Sequence, residues 1–214
     1  MGSEMCIRDS THEILSYGGG RPALQRLAET VAAQTAPGGV WINSDVCGPA
    51  GGDRVVRLRL RTDDGAAAGP RDLTALPPAD VGPYLEGLST RSRFDQFAVD
   101  FRRNAGVPFE HTVDGADVVL RLADAMEFLT KVSYTGNWLS ESHEQFCALD
   151  WAAWVELVTS AGLVVDERSG PWRNEWLVEH VFAPVAQLRD PVTGEPVDWP
   201  DTHLLLVARM PELG

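Results

Sequence analysis

The turn Pro37-Gly38-Gly39 constrains this chain more than any other feature, because it separates a clear helix from a clear strand. Upstream, Leu24, Leu27, Ala28, Val31 and Ala32 follow the i, i+3, i+4, i+7, i+8 stripe of an amphipathic helix, predicted over Arg21–Ala36. Pro22 suits the first helical turn, where its missing N–H costs nothing. Downstream, Val40–Val46 (VWINSDV) opens with β-branched and aromatic residues and predicts a buried strand. Helix, tight reversal and strand make half of an α/β unit.

A second run of the same kind closes the chain. Asp150 can cap a helix over Trp151–Ala161, with Trp154, Leu157, Val158 and Ala161 inward and Gly162 ending it. Leu163–Asp166 reads as the next strand, and after an excursion His203–Met210 (HLLLVARM) reads as the last. Residues 47–147 differ. Arg54–Arg61 alternates arginine with Val55/Val56, Leu58 and Leu60, which suits a half-exposed strand, and 62–83 is rich in Asp, Ala, Gly and Pro. Phe94, Phe97, Ala98 and Phe101 mark one helix; Val119, Leu122, Met126 and Leu129 mark another. This is too long for a connection between neighbouring strands, so 47–147 is expected to be a mostly helical insertion, a lid.

The first ten residues, MGSEMCIRDS, are expected to lie outside the native fold. Glu4–Ser10 reads as the in-frame translation of a sequencing adapter (ATG TGT ATA AGA GAC AG gives Met-Cys-Ile-Arg-Asp and then Ser or Arg). Native sequence is then expected from Thr11.

The order helix, Pro-Gly-Gly, strand ending in Asp45, later helix-Gly-strand, then a final apolar strand resembles the second half of a class I S-adenosylmethionine (SAM) dependent methyltransferase. The resemblance covers 11–46 and about 148–210, so 11–46 with 148–214 is expected to form the core. It implies an α/β fold: a partial Rossmann-like sheet holding the family's fifth to seventh strands, the last two as an antiparallel hairpin. Thr11–Tyr17 (THEILSY) resembles the segment after the fourth strand, bordering the cofactor and substrate cleft. A subset of such proteins carries His-Glu and Ser-Tyr there, with blocks similar to Tyr134–Trp138, His143–Phe146 and Asn174–Glu179. The implied activity is methyl transfer from SAM to a small-molecule or protein acceptor in a bacterial cytoplasm. The family's acidic strand end and glycine-rich loop are missing. Gly18–Gly20 precedes a helix without an acidic strand before it, and Gly48–Gly52 opens no periodic helix. The main SAM motif is therefore expected upstream of Thr11, and the chain as given is expected to be inactive, with an unpaired sheet edge.

Methyl transfer needs orientation above all, and a base only where the acceptor must lose a proton. His12 is the candidate base or orienting group, with Glu13 its partner and Tyr17 a wall; the alternative is a charged helix start and polar surface. Asp45 should face the cleft, or else serve as an ordinary turn residue. Tyr134, Asn137, Trp138, His143 and Glu144 combine rings with directional polar groups, as a substrate pocket requires. The alternative is an irregular loop with buried rings and solvated charges. Asn174 and Trp176 carry the same two readings.

Composition excludes several classes. A net charge of −13, with Lys131 the sole lysine and the arginines dispersed, argues against nucleic acid as a partner. No apolar run is long enough to span a membrane. Cys6, Cys47 and Cys147 form no CxxC pair and fit a reducing compartment. Two other functions stay open. One is a metal-dependent hydrolase or lyase built on the pairs His12-Glu13, Glu110-His111, His143-Glu144 and Glu179-His180, although no HExxH spacing exists. The other is a non-catalytic methyltransferase-like binding module.

Overall fold

The computed structural model describes residues 4–8 and 10–212, the first five as backbone. Along the chain run β1 (Glu4–Arg8), α1 (Thr11–Tyr17), α2 (Arg21–Gln34), β2 (Val40–Val46) and β3 (Val55–Leu60). Then follow α3 (Pro78–Glu86), α4 (Thr90–Asn104), β4 (His111–Asp114), β5 (Asp117–Arg121), α5 (Leu122–Leu129) and α6 (Trp138–Glu141). The chain ends with α7 (Trp151–Ser160), β6 (Val164–Val165), β7 (Gly170–Trp172), α8 (Glu175–Leu177), β8 (Ala186–Arg189) and β9 (His203–Arg209). Two compact units result: 1–50, 144–174 and 200–214 in the first, 51–143 and 175–199 in the second.

The first unit is built on a sheet of order β1-β2-β9-β6, with β7 also pairing β9. Only the β1–β2 pairing is parallel; β9 runs antiparallel to β2, β6 and β7. Strand β1 thus forms one edge, and its Glu4–Arg8 backbone matches Val40–Ser44 in register. The leader assignment over 1–10 falls partly here; residues 1–3 and 9 lie outside the described residues. Period-two alternation in β2 buries Trp41, Asn43 and Asp45 on one face. Leu204, Leu206 and Ala208 of β9 join that face, and Leu24, Ala28 and Val31 of α2 with Trp154, Leu157 and Val158 of α7 cover it. Each leucine and valine among them contributes about 1.5–3 kcal/mol on burial. Asp150 caps α7 through the Ala153 amide at 2.9 Å, and Gly162 supplies the positive φ, 88°, that ends the turn after it.

The second unit carries a sheet as well as the helices expected of the insertion, and its bounds differ from 47–147. It holds a four-stranded antiparallel sheet, β4-β5-β3-β8, beside its helices. Val119 lies in β5 rather than in a helix, which begins only at Leu122. The apolar spacing at 119, 122 and 126 suits a helix, but Val118 and Leu120 alternate into the core as a strand does. Gly115, at φ 60°, turns the β4–β5 hairpin whose last pair is Asp114↔Asp117. Strand β8 comes from the excursion between β7 and β9, so 175–199 belongs to this unit and not to the C-terminal core. In β3, Val56, Leu58 and Leu60 face inward while Arg57 and Arg59 pair with Asp117. The core is aromatic: Phe94, Phe97, Phe101, Phe109 and Phe128 pack together, and the buried Lys131 ammonium pairs with Glu127.

The β9 register makes a direct prediction. Leu206→Ala should cost about 2–5 kcal/mol in urea unfolding, whereas Leu205→Ala, at a 38% exposed position, should stay within about 1 kcal/mol. Equal losses would contradict the register.

Candidate functional site

Strand β2 delivers a buried carboxylate to the place where α1 begins. Helix α1 has no capping side chain of its own at Ser10. Asp45 supplies the cap from across the unit: its Oδ2 accepts the Thr11 amide at 2.7 Å and the His12 amide at 3.1 Å, with the Thr11 hydroxyl donating to the same oxygen. Asn43, two residues earlier on the same face of β2, donates to the Thr11 hydroxyl oxygen at 3.2 Å. The other Asp45 oxygen accepts the Val46 amide at 2.7 Å and meets His12 Nδ1 at 2.6 Å.

His12 stands between two carboxylates. Nδ1 faces Asp45 and Nε2 faces Glu144 Oε2 at 3.3 Å. The Tyr17 hydroxyl donates to Glu144 Oε1 at 3.3 Å. Further contacts fix 144–146 on α1: the Gln145 amide donates to Ser16 Oγ at 2.8 Å, and Phe146 sets its ring edge-on to the imidazole at 4.8 Å. A small, partly open apolar cleft beside His12 is walled by Leu15, Leu24, Phe146, Leu149 and Trp154.

Electrostatics follow from this geometry. Burial pulls the imidazolium's pKa down, but the Asp45 hydrogen bond and charge, with the charges of Glu144 and Glu13, outweigh it and raise the pKa above the ordinary histidine range. Burial likewise pushes Asp45 up, and the His12 and Thr11 hydrogen bonds bring it below the usual carboxylate range. The site can hold a proton on His12, orient an imidazole ring and present negative charge to a ligand.

Of the residues singled out in the sequence, His12, Asp45, Tyr17 and Glu144 come together here. Glu13 faces solvent and acts on His12 only through its charge; the carboxylates that touch the ring are Asp45 and Glu144. Tyr134, Asn137, Trp138 and His143 belong to the second unit. There Trp138 is buried in the aromatic core, its Nε1 donating to Asp100 at 2.8 Å, while Tyr134 and Asn137 are exposed. Asn174, in the first unit, donates its amide to Thr202 Oγ1 at 3.4 Å. Trp176, in the second, is exposed and stacks on His180. Thr11, Asn43, Gln145 and Phe146 escaped sequence reasoning; Asn43 was legible as a polar residue on the apolar face of β2 shared with Trp41. Burial pushes the Cys47 thiol up to about 12, which makes it a poor nucleophile. Among the described residues no group of three or more His, Cys, Asp or Glu is arranged to hold a metal ion, and no helix is long and apolar enough to cross a membrane. Comparison with protein-family models, curated proteins and solved structures returns no match for this chain.

The pair makes stability depend on pH. His12's raised pKa makes its contribution complete below its unfolded value of about 6.5, and lost as pH rises through the raised folded value. Asp45's lowered pKa makes its contribution complete above about 3.9, and lost as pH falls through the depressed value. The unfolding free-energy gap between wild type and His12→Gln should therefore be widest between about pH 4 and 6.5 and narrow at alkaline pH. Urea melts across that range check this; a gap that widens with alkali contradicts it. Asp45→Ala should cost about 3–5 kcal/mol.

Proposed function

We propose that this chain is the acceptor-side part of a class I SAM-dependent methyltransferase, acting in the cytoplasm on a small molecule or an accessible protein group. The observation that carries this reading is the His12–Asp45 pair at the carboxyl end of β2. Open α/β sheets bind ligands in the crevice beyond the carboxyl ends of their strands. The order of elements supports it too: a helix and Pro-Gly-Gly turn lead into β2, and α7 leads into β6, which pairs antiparallel with β9. That order is the one the resemblance implies for the family's fifth strand and closing hairpin.

His12, held between Asp45 at Nδ1 and Glu144 at Nε2, orients the acceptor rather than taking its proton. Glu144 and Tyr17 line the same place. The described residues do not fit the cofactor. The Gly18 and Gly20 amides are spent on Ile14 and Leu15 carbonyls at the end of α1. Gly48 is packed so closely that an added Cβ would lie 2.6 Å from the Cys147 carbonyl oxygen. Neither glycine run is a cradle for a nucleoside.

The test is to recover the coding sequence upstream of Thr11, express the intact product, and measure SAM binding and methyl transfer. The intact product should bind SAM, and His12→Asn should lower transfer by about 10²-fold without changing SAM affinity. An intact product that binds no SAM overturns the proposal. Transfer unaffected by His12→Asn would make the pair purely structural, as in a non-catalytic binding module.

A further inference from the structure

Beside Asp45 the first unit buries two more polar side chains, Asn43 of β2 and Thr11 of α1, both fully. Capping does not require them. The Thr11 and His12 amides already donate to Asp45 Oδ2, at 2.7 and 3.1 Å, and the Val46 amide donates to Oδ1 at 2.7 Å. Valine at 11 and leucine at 43 would fill much the same space without burying a hydroxyl or an amide, which costs free energy unless each is well bonded. The two polar groups therefore do something the cap does not.

Their connectivity shows what. A threonine hydroxyl has one proton to give and lone pairs that receive. Asn43 Nδ2 donates to Thr11 Oγ1 at 3.2 Å, whereas Asn43 Oδ1 lies 3.5 Å away, at the limit of a hydrogen bond. The Thr11 proton goes instead to Asp45 Oδ2, the shorter contact. Receiving a bond from Asn43 polarises the hydroxyl and strengthens it as a donor. The chain of bonds thus runs Asn43, Thr11, Asp45 and His12, whose Nδ1 meets Asp45 Oδ1 at 2.6 Å. A carboxylate shares its charge among its donors, so each bond it receives elsewhere weakens its hold on the His12 proton. Three carboxylates act on that ring: Asp45 from β2, Glu144 from the returning segment and Glu13 from its own helix. The Thr11 hydroxyl tempers the one that touches Nδ1.

We infer that Thr11 and Asn43 are positioning residues that set how firmly His12 holds its proton, by drawing part of the Asp45 charge away from the ring. Thr11 acts on Asp45 directly; Asn43 acts only by directing the Thr11 hydroxyl. The three backbone amides keep the carboxylate in place, and the side-chain pair adjusts what the carboxylate does to the imidazole. This inference rests on reading His12 as the group that orients the acceptor, because the charge on the ring is part of what the acceptor meets.

The His12 ring should be titrated by long-range proton–nitrogen NMR in the full chain and in variants whose melts show them folded. Thr11→Val keeps the shape and removes the hydroxyl, and the midpoint should rise by about half a unit to one unit. Thr11→Ser, which keeps the hydroxyl, should hold the wild-type midpoint. Asn43→Leu should raise the midpoint by less, and should add nothing in the Thr11→Val background, because its effect passes through the hydroxyl. A purely structural role moves the ring the other way: a loosened α1 admits water to His12, and the midpoint falls toward about 6.5. A midpoint unchanged or lowered in folded Thr11→Val, or Asn43→Leu acting equally in both backgrounds, overturns the inference. Should Thr11→Val not fold, Asn43→Leu alone decides, a raised midpoint supporting the inference and an unchanged or lowered one overturning it. The measurement needs no SAM: a raised midpoint in a chain whose intact parent binds no SAM keeps this chain of bonds and loses the methyltransferase reading.

Discussion

The candidate site depends on one buried carboxylate. Asp45 leaves β2 on the face that packs against the helices, where an unpaired charge would cost several kcal/mol. It is tolerated because α1 arrives with orphan backbone donors and a histidine. The strand thereby caps a helix that has no cap of its own, and the helix neutralises a charge the strand could not otherwise bury. Neither element is satisfactory alone, so the two specify each other's position.

From that joint the order spreads outward. Once α1 is fixed, Ser16 and Tyr17 lie on its exposed flank and His12 presents its second nitrogen. All three then hold 144–146, where the chain re-enters this unit. The site is thus made of one helix turn, one strand end and one returning segment. Its rigidity comes from the first two and its accessible carboxylate from the third. The second unit is organised differently, around aromatic rings and a buried ion pair.

The sequence made some of this legible and hid the rest for physical reasons. Strong periodicity exposed α2, β2, α7 and β9, and the Pro37-Gly38-Gly39 turn fixed their connection. Alternation in β2 put Asn43 and Asp45 on the buried side with Trp41, so a polar joint was readable there. Glu144 could be noticed as one of a dense polar block, but its meeting with Tyr17 crosses 127 residues, and no local pattern carries that distance. Glu13 was the tempting partner for His12 because it is adjacent. Adjacent residues on a helix point about 100° apart, and the ring turned to carboxylates from elsewhere. Val119 misled because a short apolar run satisfies both periods, and the Asp114-Gly115 hairpin signal was the better guide. Trp138 shows the same ambiguity from the other side: a ring with one donor suits a pocket wall or a core, and here Asp100 satisfies the donor from within.

The central claim is that His12 is an imidazolium held at both nitrogens, Nδ1 by Asp45 and Nε2 by Glu144. Long-range proton–nitrogen NMR of the His12 ring in the full chain, followed across pH, tests it most directly. The account predicts both ring nitrogens protonated near neutral pH, with the ring titrating above the ordinary histidine range. A ring already neutral there, or one titrating at or below that range, would contradict it.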